Sequence, residues 1–277
     1  MSMDRRKFLK VAGLSTLIGL GGSSAFEMLR PGKVDAEMKH EGHHGGHHGE
    51  GHEKAEEAGP KTRWAMLIDM QAITKEKAEK IVHTCHQIHN VPDWGNPKDE
   101  IKWVWEDEYE HVFVDSYNEY DEVLEKLPFL LMCNHCDEPP CARVCPVEAT
   151  FRRPDGIVAQ DYHRCIGCRF CMAACPYGSR SFNWLDPRIK LKEEMAKGRK
   201  LNKRFPTRMR GVVEKCNFCV ERLAEGKQPG CVEACPDVMH FGNLADENSN
   251  VRKILRERVS LRRKLELGTK PSVFYLV

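Results

Sequence analysis

The sequence predicts an α+β fold of two small modules, one inserted into the other, with short strands and helices and long loops. The prediction rests on thirteen cysteines in 277 residues, which form three dense runs preceded by one isolated residue, Cys85. It also rests on a hydrophobic content of 41%, enough to bury a core in one or two domains. A net charge of only +2 argues against nucleic acid as a partner. So many cysteines indicate metal centres or disulfides.

Residues 1–36 have the features of a twin-arginine export signal. The arginine pair Arg5 and Arg6 precedes a glycine-interrupted apolar run, and cleavage is expected after Ala25 or Ala36. An amphipathic N-terminal helix is the alternative. The signal predicts a periplasmic protein that is exported already folded. The rest of the chain has no apolar stretch near the roughly 20 residues of a transmembrane helix. Membrane association is therefore expected through partner subunits or through an uncleaved signal.

Residues 37–60 form a low-complexity segment rich in histidine and glycine. It holds six of the thirteen histidines: His40, His43, His44, His47, His48 and His52. Such a segment can bind divalent metal. A flexible linker is the simpler interpretation, because nothing in the segment fixes the side chains geometrically.

The run CIGCRFCMAACP contains the spacing C-x2-C-x2-C-x3-C-P, which is the bacterial pattern for 4Fe-4S ligation. Its first three cysteines, Cys165, Cys168 and Cys171, can surround one cluster on a tight loop that Gly167 relieves. The fourth, Cys175, lies too far round to reach the same cluster and ligates a neighbouring one. Such runs must therefore occur in pairs.

The partner run is CNHCDEPPCARVCP, which has two extra residues before its third cysteine. Exchange of the fourth cysteines defines two cofactor sites, here named sets A and B. Set A is Cys133, Cys136, Cys141 and Cys175, and set B is Cys165, Cys168, Cys171 and Cys145.

A third run, CNFCVERLAEGKQPGCVEACP, needs a fourth ligand from elsewhere, and Cys85 is the cysteine that remains. Set C is therefore Cys85, Cys216, Cys219 and Cys231. Counting back from Cys85 reaches Ile81, Ala78 and Lys75, none of which ligates iron, so a first run has lost its cluster. The sequence predicts three 4Fe-4S clusters and a buried spectator thiol at Cys235. Ala78 and Ile81 are expected to fill part of the vacated space.

Disulfides and zinc are the alternatives for these cysteines. An odd number of cysteines and the close C-x2-C spacing disfavour disulfides. Zinc ribbons also use paired C-x2-C units, but zinc sites end at four ligands, whereas two of these runs continue to x3-C-P.

The exchange of fourth cysteines between runs, called crossed ligation below, predicts the layout of the chain. The inner two-cluster module is residues 126–185, and the outer module is residues 61–125 plus 211–245. Residues 186–210 form a basic excursion, expected to be solvated or to dock an acidic partner or lipid headgroups. Residues 246–277 form a C-terminal docking helix and tail. Periodicity predicts a strand around His111 to Tyr117, a helix from Asp121 to Leu127 and a helix from Ser249 to about Leu267.

Several other side chains are assigned structural roles. The five tryptophans are expected in the core or at interfaces, and His83, His86 and His89 on a helix surface. Clusters bound by four thiolates have no open iron, so the predicted chemistry is one-electron transfer rather than catalysis. The rival classes are an enzyme that uses one cluster as a Lewis acid and a metal-storage protein built on the histidine segment.

From Trp64 to Val277 the chain resembles the four-cluster ferredoxin-like electron-transfer subunits of molybdopterin oxidoreductases and quinone-interacting membrane complexes. The resemblance lies in WAMLID as an opening strand, in CHQIHNVP as the end of a degenerate first run, in the three complete runs and in the ending LGTKPSVFYL.

With the export signal and the degenerate first run, the chain is similar to the exported DsrO-type iron-sulfur subunits of sulfur metabolism and anaerobic respiration. This resemblance implies two partners, a multihaem cytochrome c and an integral membrane quinone-interacting subunit. A relay in a nitrite-, polysulfide- or other molybdopterin-type reductase is the alternative.

Overall fold

The computed structural model describes residues 62–113 and 126–277. The predicted export signal and histidine linker lie outside the described residues. The strands are β1 Trp64–Asp69, β2 Val104–Asp107, β3 Phe129–Met132, β4 Thr150–Arg152, β5 Val158–Gln160, β6 Ser181–Phe182, β7 Val213–Glu214, β8 Met239–Asn243, β9 Ser260–Leu261 and β10 Val273–Leu276. The helices are α1 Lys75–Ile88, α2 Tyr109–Val112, α3 Pro140–Arg143, α4 Phe170–Ala173, α5 Pro187–Ala196, α6 Val220–Leu223, α7 Gly230–Ala234 and α8 Asn250–Glu257, followed by a 3-10 turn at Leu265–Leu267. These elements confirm the α+β fold.

The largest sheet joins the beginning and the end of the described chain, in the order β8-β1-β10-β9. Strand β1 is the predicted opening strand, and its Met66 lies opposite Phe241 of antiparallel β8 and Val273 of parallel β10. Successive side chains of a strand point to opposite faces. Met66 accordingly belongs to the main core, whereas Leu67 belongs to a second apolar cluster.

Helix α8 covers the second face of this sheet. Val251 is fully buried against the sheet, and Ile254 and Leu255 pack beside it. The helix ends at Glu257, so the predicted extension to about Leu267 is wrong, and Val259 is 69% exposed. Val251, Ile254 and Leu255 of the predicted docking helix therefore pack against the protein's own sheet.

Helix α1 carries Cys85 into the interior. Thr74 caps it, because its hydroxyl accepts a hydrogen bond from the backbone N–H of Lys77. Ala78, Ile81 and Cys85 recur at helical spacing and are the buried residues of the helix. The buried face of α1 packs against α7, which belongs to the third cysteine run.

Three two-stranded antiparallel sheets join the remaining strands: β2 with β3, β4 with β5, and β6 with β7. Strands β6 and β7 lie on either side of the basic excursion in sequence, and their pairing brings its two ends together. Beside it, Arg208 and Glu214 form a fully buried ion pair with an Nε to Oε2 distance of 2.8 Å. Trp103 Nε1 and Asn183 Nδ2 also donate hydrogen bonds to Glu214. The buried carboxylate is thereby satisfied.

The basic excursion contains helix α5 and then returns across the protein. Asp186 caps the helix by accepting a hydrogen bond from the backbone N–H of Arg188. Further on, Arg199 pairs with Glu194 and donates hydrogen bonds to the carbonyl oxygens of Val91 and His86. Part of the predicted solvated excursion is therefore anchored to the helix that carries Cys85.

Three local predictions differ from the structure. His111 and Val112 are helical instead of strand, and Phe113 is in neither a helix nor a strand; residues 114–117 of that predicted strand lie outside the described residues. Lys126 and Leu127 form a turn and a bend instead of the end of a helix; residues 121–125 lie outside the description. His89, predicted on a helix surface, is buried and stacked on Trp103 at 4.1 Å.

Four tryptophans lie in or against the main core, as predicted, while Trp184 is exposed. None of the helices in the described ranges is long and apolar enough to span a membrane.

Candidate iron-sulfur sites

Set A gathers around the loop between β3 and α3. Cys133 and Cys136 lie on this loop, Cys141 lies on α3, and Cys175 follows α4. The four thiols are close enough to affect one another: burial, together with the charges of Cys133, Cys141 and Cys175, raises the pKa of Cys136 to about 12. The structure therefore brings together all four predicted members of set A.

Cys165 and Cys168 of set B lie on a tight loop ahead of α4, Cys171 lies on α4, and Cys145 follows α3. Gly167 adopts φ +71°, the left-handed conformation that glycine tolerates best, and Arg169 also has a positive φ of 65°. Burial, together with the charges of Cys141 and Cys165, raises the pKa of Cys171. Although burial opposes it, the backbone N–H groups of Thr150, Val147 and Ala149 lower the pKa of Cys145. Donors of this kind stabilise a thiolate.

Set C joins two distant parts of the chain, helix α1 and the last cysteine run. Burial and the charges of Cys216, Cys219 and Cys231 raise the pKa of Cys85 well above its ordinary value. All four thiols are buried. Cys219 takes the left-handed conformation with φ +53°, and the backbone N–H of Gly230 points at its sulfur, 3.5 Å away. The isolated cysteine thus lies with the three cysteines with which the sequence grouped it.

Cys235 has different surroundings. It is 3% exposed, and its sulfur lies 3.9 Å from the carbonyl oxygen of Lys77 on α1. Burial raises its pKa, and the charges acting on it come from Lys80, Asp237 and Lys77 instead of from other thiols. Ala78 and Ile81, on the same helix, are fully buried. The predicted burial of the thirteenth thiol is confirmed.

The three sets follow one another through the protein. Cys133 of set A lies close enough to Cys216 of set C to raise its pKa, after the larger effect of burial. Cys141 of set A acts in the same way on Cys171 of set B. Set A therefore lies between the other two.

A buried arginine lies between sets A and B. The Nη2 of Arg180 donates a hydrogen bond to the sulfur of Cys141 at 3.0 Å. Its Nη1 bonds to Thr150 Oγ1 at 3.1 Å and to Gln160 Oε1 at 3.0 Å, and these bonds fix the guanidinium plane. Arg180 was not among the residues predicted from the sequence. A basic residue shortly after the C-P ending of the run was the signal that could have found it.

Two further buried basic groups lie beside the thiols. Lys215 Nζ donates to the carbonyl oxygens of Val158 and Cys216, and its charge favours the thiolate form of Cys216. His89 Nδ1 lies 3.5 Å from the sulfur of Cys85, and burial lowers the pKa of this histidine to about 3. At neutral pH His89 is therefore uncharged.

The thiol groups suit iron-sulfur clusters. All thirteen cysteines are free thiols in the structure. Several grouped thiols have pKa values raised by burial and by one another, so they would lose their protons together only when a cation compensates the charge. A bound metal deprotonates coordinating thiols outright.

Comparison with known proteins agrees with this chemistry. A family model described as a 4Fe-4S dicluster domain matches residues 125–192, which contain sets A and B. The chain is 41% identical to the Hdr-like menaquinol oxidoreductase iron-sulfur subunit 1 of Archaeoglobus fulgidus, over 99% of this chain and 97% of that protein. It is 36% identical to the iron-sulfur cluster-binding subunit of menaquinone reductase from Nitratidesulfovibrio vulgaris, over 78% of this chain and 89% of that protein. It is 35% identical to a tetrathionate reductase subunit of Salmonella typhimurium, over 79% and 74% of the two chains.

The fold and the grouped thiols define an iron-sulfur electron-transfer protein. The chain belongs to the family of ferredoxin-like iron-sulfur subunits of reductase complexes that includes the Archaeoglobus fulgidus and Nitratidesulfovibrio vulgaris proteins. The three relatives are named as subunits of an oxidoreductase or of a reductase.

Gly167 allows a direct test of the set B loop. A Cβ at Gly167 would lie 2.4 Å from the carbonyl oxygen of Gly211 and 3.2 Å from Cε2 of Phe182. We expect Gly167→Ala to displace the loop and lower the iron and sulfide content of anaerobically purified protein. Gly178→Ala is the matched control, because Gly178 has a similar φ of +63° but no atom within 4 Å of the added Cβ. It should keep its iron and lose only about 1–2 kcal/mol of stability. Equal iron contents in both variants would contradict the prediction.

Arg180 is expected to raise a reduction potential. Reduction adds negative charge to a cluster, and a buried cation with an N–H···S bond stabilises the added charge. Arg180→Met should therefore lower the midpoint potential measured by EPR-monitored redox titration, without loss of iron. Arg188→Met removes an exposed arginine that pairs with Asp186, and it should leave every potential unchanged. Unchanged potentials in Arg180→Met would argue against this role.

Proposed function

We propose that the protein holds three 4Fe-4S clusters, one on each of sets A, B and C, and relays single electrons through them. The observation that carries the proposal is the grouping of Cys85 with Cys216, Cys219 and Cys231, thiols that are far apart in sequence. The separation of Cys235 from the other thiols supports the count of three. The two-module layout with crossed ligation follows from the same allocation.

The order of the clusters follows from the position of set A between the other two. On this allocation the lost cluster would have lain beside Cys235, whose sulfur is near the carbonyl oxygen of Lys77 on α1, the helix that carries Cys85. We infer that the relay runs B–A–C and that the missing cluster lay beyond C. Set C is then one terminus of the relay, and set B is the other.

Allocation of the ligands is tested by two cysteine substitutions. Cys85→Ala should remove or convert the set C cluster, lowering the content by up to about four irons per chain from about twelve. Cys235→Ala should leave about twelve irons, because its sulfur ligates nothing. Iron and acid-labile sulfide are measured in anaerobically purified protein, and EPR spectra detect conversion to a three-iron centre.

Equal iron loss from the two variants would refute the allocation. About sixteen irons in the unmodified chain would require a fourth cluster with ligands other than these twelve cysteines. Bound zinc in place of iron would overturn the cofactor assignment.

We further propose that the protein acts in the periplasm, between an integral membrane quinone-interacting subunit and a multihaem cytochrome c of a sulfur-metabolism complex. The twin-arginine signal supports export, and the names of two relatives, one from a menaquinol oxidoreductase and one from a menaquinone reductase, support a quinone partner. The multihaem cytochrome is implied by the resemblance to DsrO-type subunits. Similarity to the tetrathionate reductase protein keeps a relay in a molybdopterin-type reductase as the alternative.

The quinone partner is tested on the intact membrane complex. Menadiol, a soluble menaquinol analogue, should reduce the clusters in the complex but not in the isolated chain, because the quinone site lies on the partner. Cluster reduction is followed by visible absorbance and EPR. Clusters that respond to dithionite but not to menadiol in the complex would contradict the proposal, and reoxidation by tetrathionate or polysulfide would favour the alternative.

A further inference from the structure

Two of the cysteine loops place an aromatic ring where the third loop has glycine. His135 is the second residue after Cys133 of set A, and Phe218 is the second residue after Cys216 of set C. Both have left-handed backbone, with φ of 41° and 55°, as has Gly167 in the loop of set B at φ +71°. Residues other than glycine rarely adopt this conformation and keep it only where their surroundings hold them. Something in the fold therefore retains a ring at these two positions.

The two rings lie face to face. The ring centroids of His135 and Phe218 are 3.7 Å apart, and the ring planes are inclined by 22°. His135 is fully buried and Phe218 is 1% exposed. Phe241 meets Phe218 edge-on at 5.3 Å and holds it from another side. The stack thus connects the loop of set A to the loop of set C and fixes the orientation of the His135 ring.

A hydrogen bond determines which nitrogen of His135 carries the proton. The backbone N–H of Val158 on β5 donates to His135 Nδ1 at 3.1 Å. A ring nitrogen that accepts such a bond carries no proton itself. Burial, together with the charges of Lys215 and Arg180, lowers the pKa of His135 well below its ordinary value, so the ring is neutral at pH 7. Its single ring proton is therefore on Nε2, and Nε2 is a hydrogen-bond donor.

This donor lies beside set C without a partner. Nε2 of His135 is buried, and none of the described residues forms a hydrogen bond with it. The carbonyl oxygen of Cys216 partly opposes the lowering of the pKa of His135, which locates that oxygen beside the ring. The same oxygen already accepts a hydrogen bond from Lys215 Nζ at 2.8 Å. A buried donor that no protein group satisfies requires another acceptor, such as a water or an ion.

Sulfur of an iron-sulfur cluster suits this donor. Hydrogen bonds to the sulfur atoms are among the factors that set the reduction potential of a cluster, and donors beyond the ligands tune a bound metal. A neutral N–H group also adds no net charge to a volume that already holds two buried cations, Lys215 and Arg180. A water is the other possible acceptor, and in that case the potential of set C would not depend on His135.

We propose that His135 tunes the reduction potential of set C: Phe218 and Val158 hold its ring so that Nε2–H donates to a sulfur of the set C cluster. The donor stabilises the negative charge that reduction adds. The inference rests on the proposed ligand allocation and adds a residue of the set A loop that biases electron transfer between sets A and C. One electron passes between the two sets, no covalent bond changes, and the proton stays on Nε2.

The first test replaces the ring by one without nitrogen. His135→Phe can keep the stack on Phe218 but has no N–H, so the midpoint potential of the set C cluster should fall while about twelve irons are retained. Potentials are measured by EPR-monitored redox titration of the anaerobically purified chain. The set C signal is the one that Cys85→Ala removes or converts. His111→Phe is the control, because His111 is exposed and pairs with Asp107, and it should leave every potential unchanged.

Pulsed EPR gives a second readout that does not depend on the potential. In protein with isotopically labelled imidazole nitrogens, the set C signal should show nitrogen couplings from His135 and from His89, whose Nδ1 lies 3.5 Å from the sulfur of Cys85. His135→Phe should lose one of these couplings, and His89→Phe should lose the other. His135→Gln is a further variant in case His135→Phe loses iron, because its amide oxygen can still accept a hydrogen bond from Val158.

The outcomes separate this inference from the relay on which it rests. An unchanged set C potential in His135→Phe at full iron content would overturn the inference and indicate a water as the acceptor. So would the absence of any nitrogen coupling in His89→Phe, because that variant retains His135. A chain without a cluster that depends on Cys85 would instead refute the ligand allocation, and the iron content alone would reveal it.

Discussion

The fold depends on bringing thiols from distant parts of the chain into one small volume. Cys85 comes from the first long helix, whereas Cys216, Cys219 and Cys231 come from the last cysteine run, and closing so long a loop costs conformational entropy. The β8–β1–β10 sheet and the packing of α1 on α7 offset this cost, because both hold the ends of the described chain together. The sheet is therefore part of the cofactor site, although it contributes no ligand.

Electrostatics imposes a second requirement on the same volume. Closely spaced buried thiolates repel one another, and burial alone disfavours their charged form. Two buried cations offset this repulsion: Arg180 donates a hydrogen bond to the sulfur of Cys141, and Lys215 lies beside Cys216. A buried cation is costly unless it is paired, so the cations and the metal-bound thiolates stabilise one another. The neutral His89 beside Cys85 leaves set C without a comparable charge on that side.

The sequence predicted the parts of this structure that follow from covalent spacing. The grouping of Cys85 with the last run, the burial of Cys235 and the opening strand at Trp64–Asp69 required only short-range patterns and the count of cysteines. The errors arise where tertiary contacts override local pattern. His89 looks like a helix-surface residue, but it stacks on Trp103, which arrives from a later segment. Arg180 was missed because its role depends on Cys141, Thr150 and Gln160, which only the fold brings to it.

The degenerate first run affects electron transfer on the α1 side of the protein. Ala78 and Ile81 contribute only hydrocarbon to the space beside Cys235, and that hydrocarbon is tightly packed. Hydrocarbon has no accessible redox state, so this side of the protein offers no stepping stone for electron transfer between set C and a partner that lies against α1. On the proposed allocation, Cys235 is the one thiol that remains from the ligands of the lost cluster. Replacement of Lys75, Ala78 and Ile81 by cysteine would restore the spacing of those ligands. On the proposed ligand allocation, three substitutions on one helix have replaced an electron-transfer centre with apolar packing.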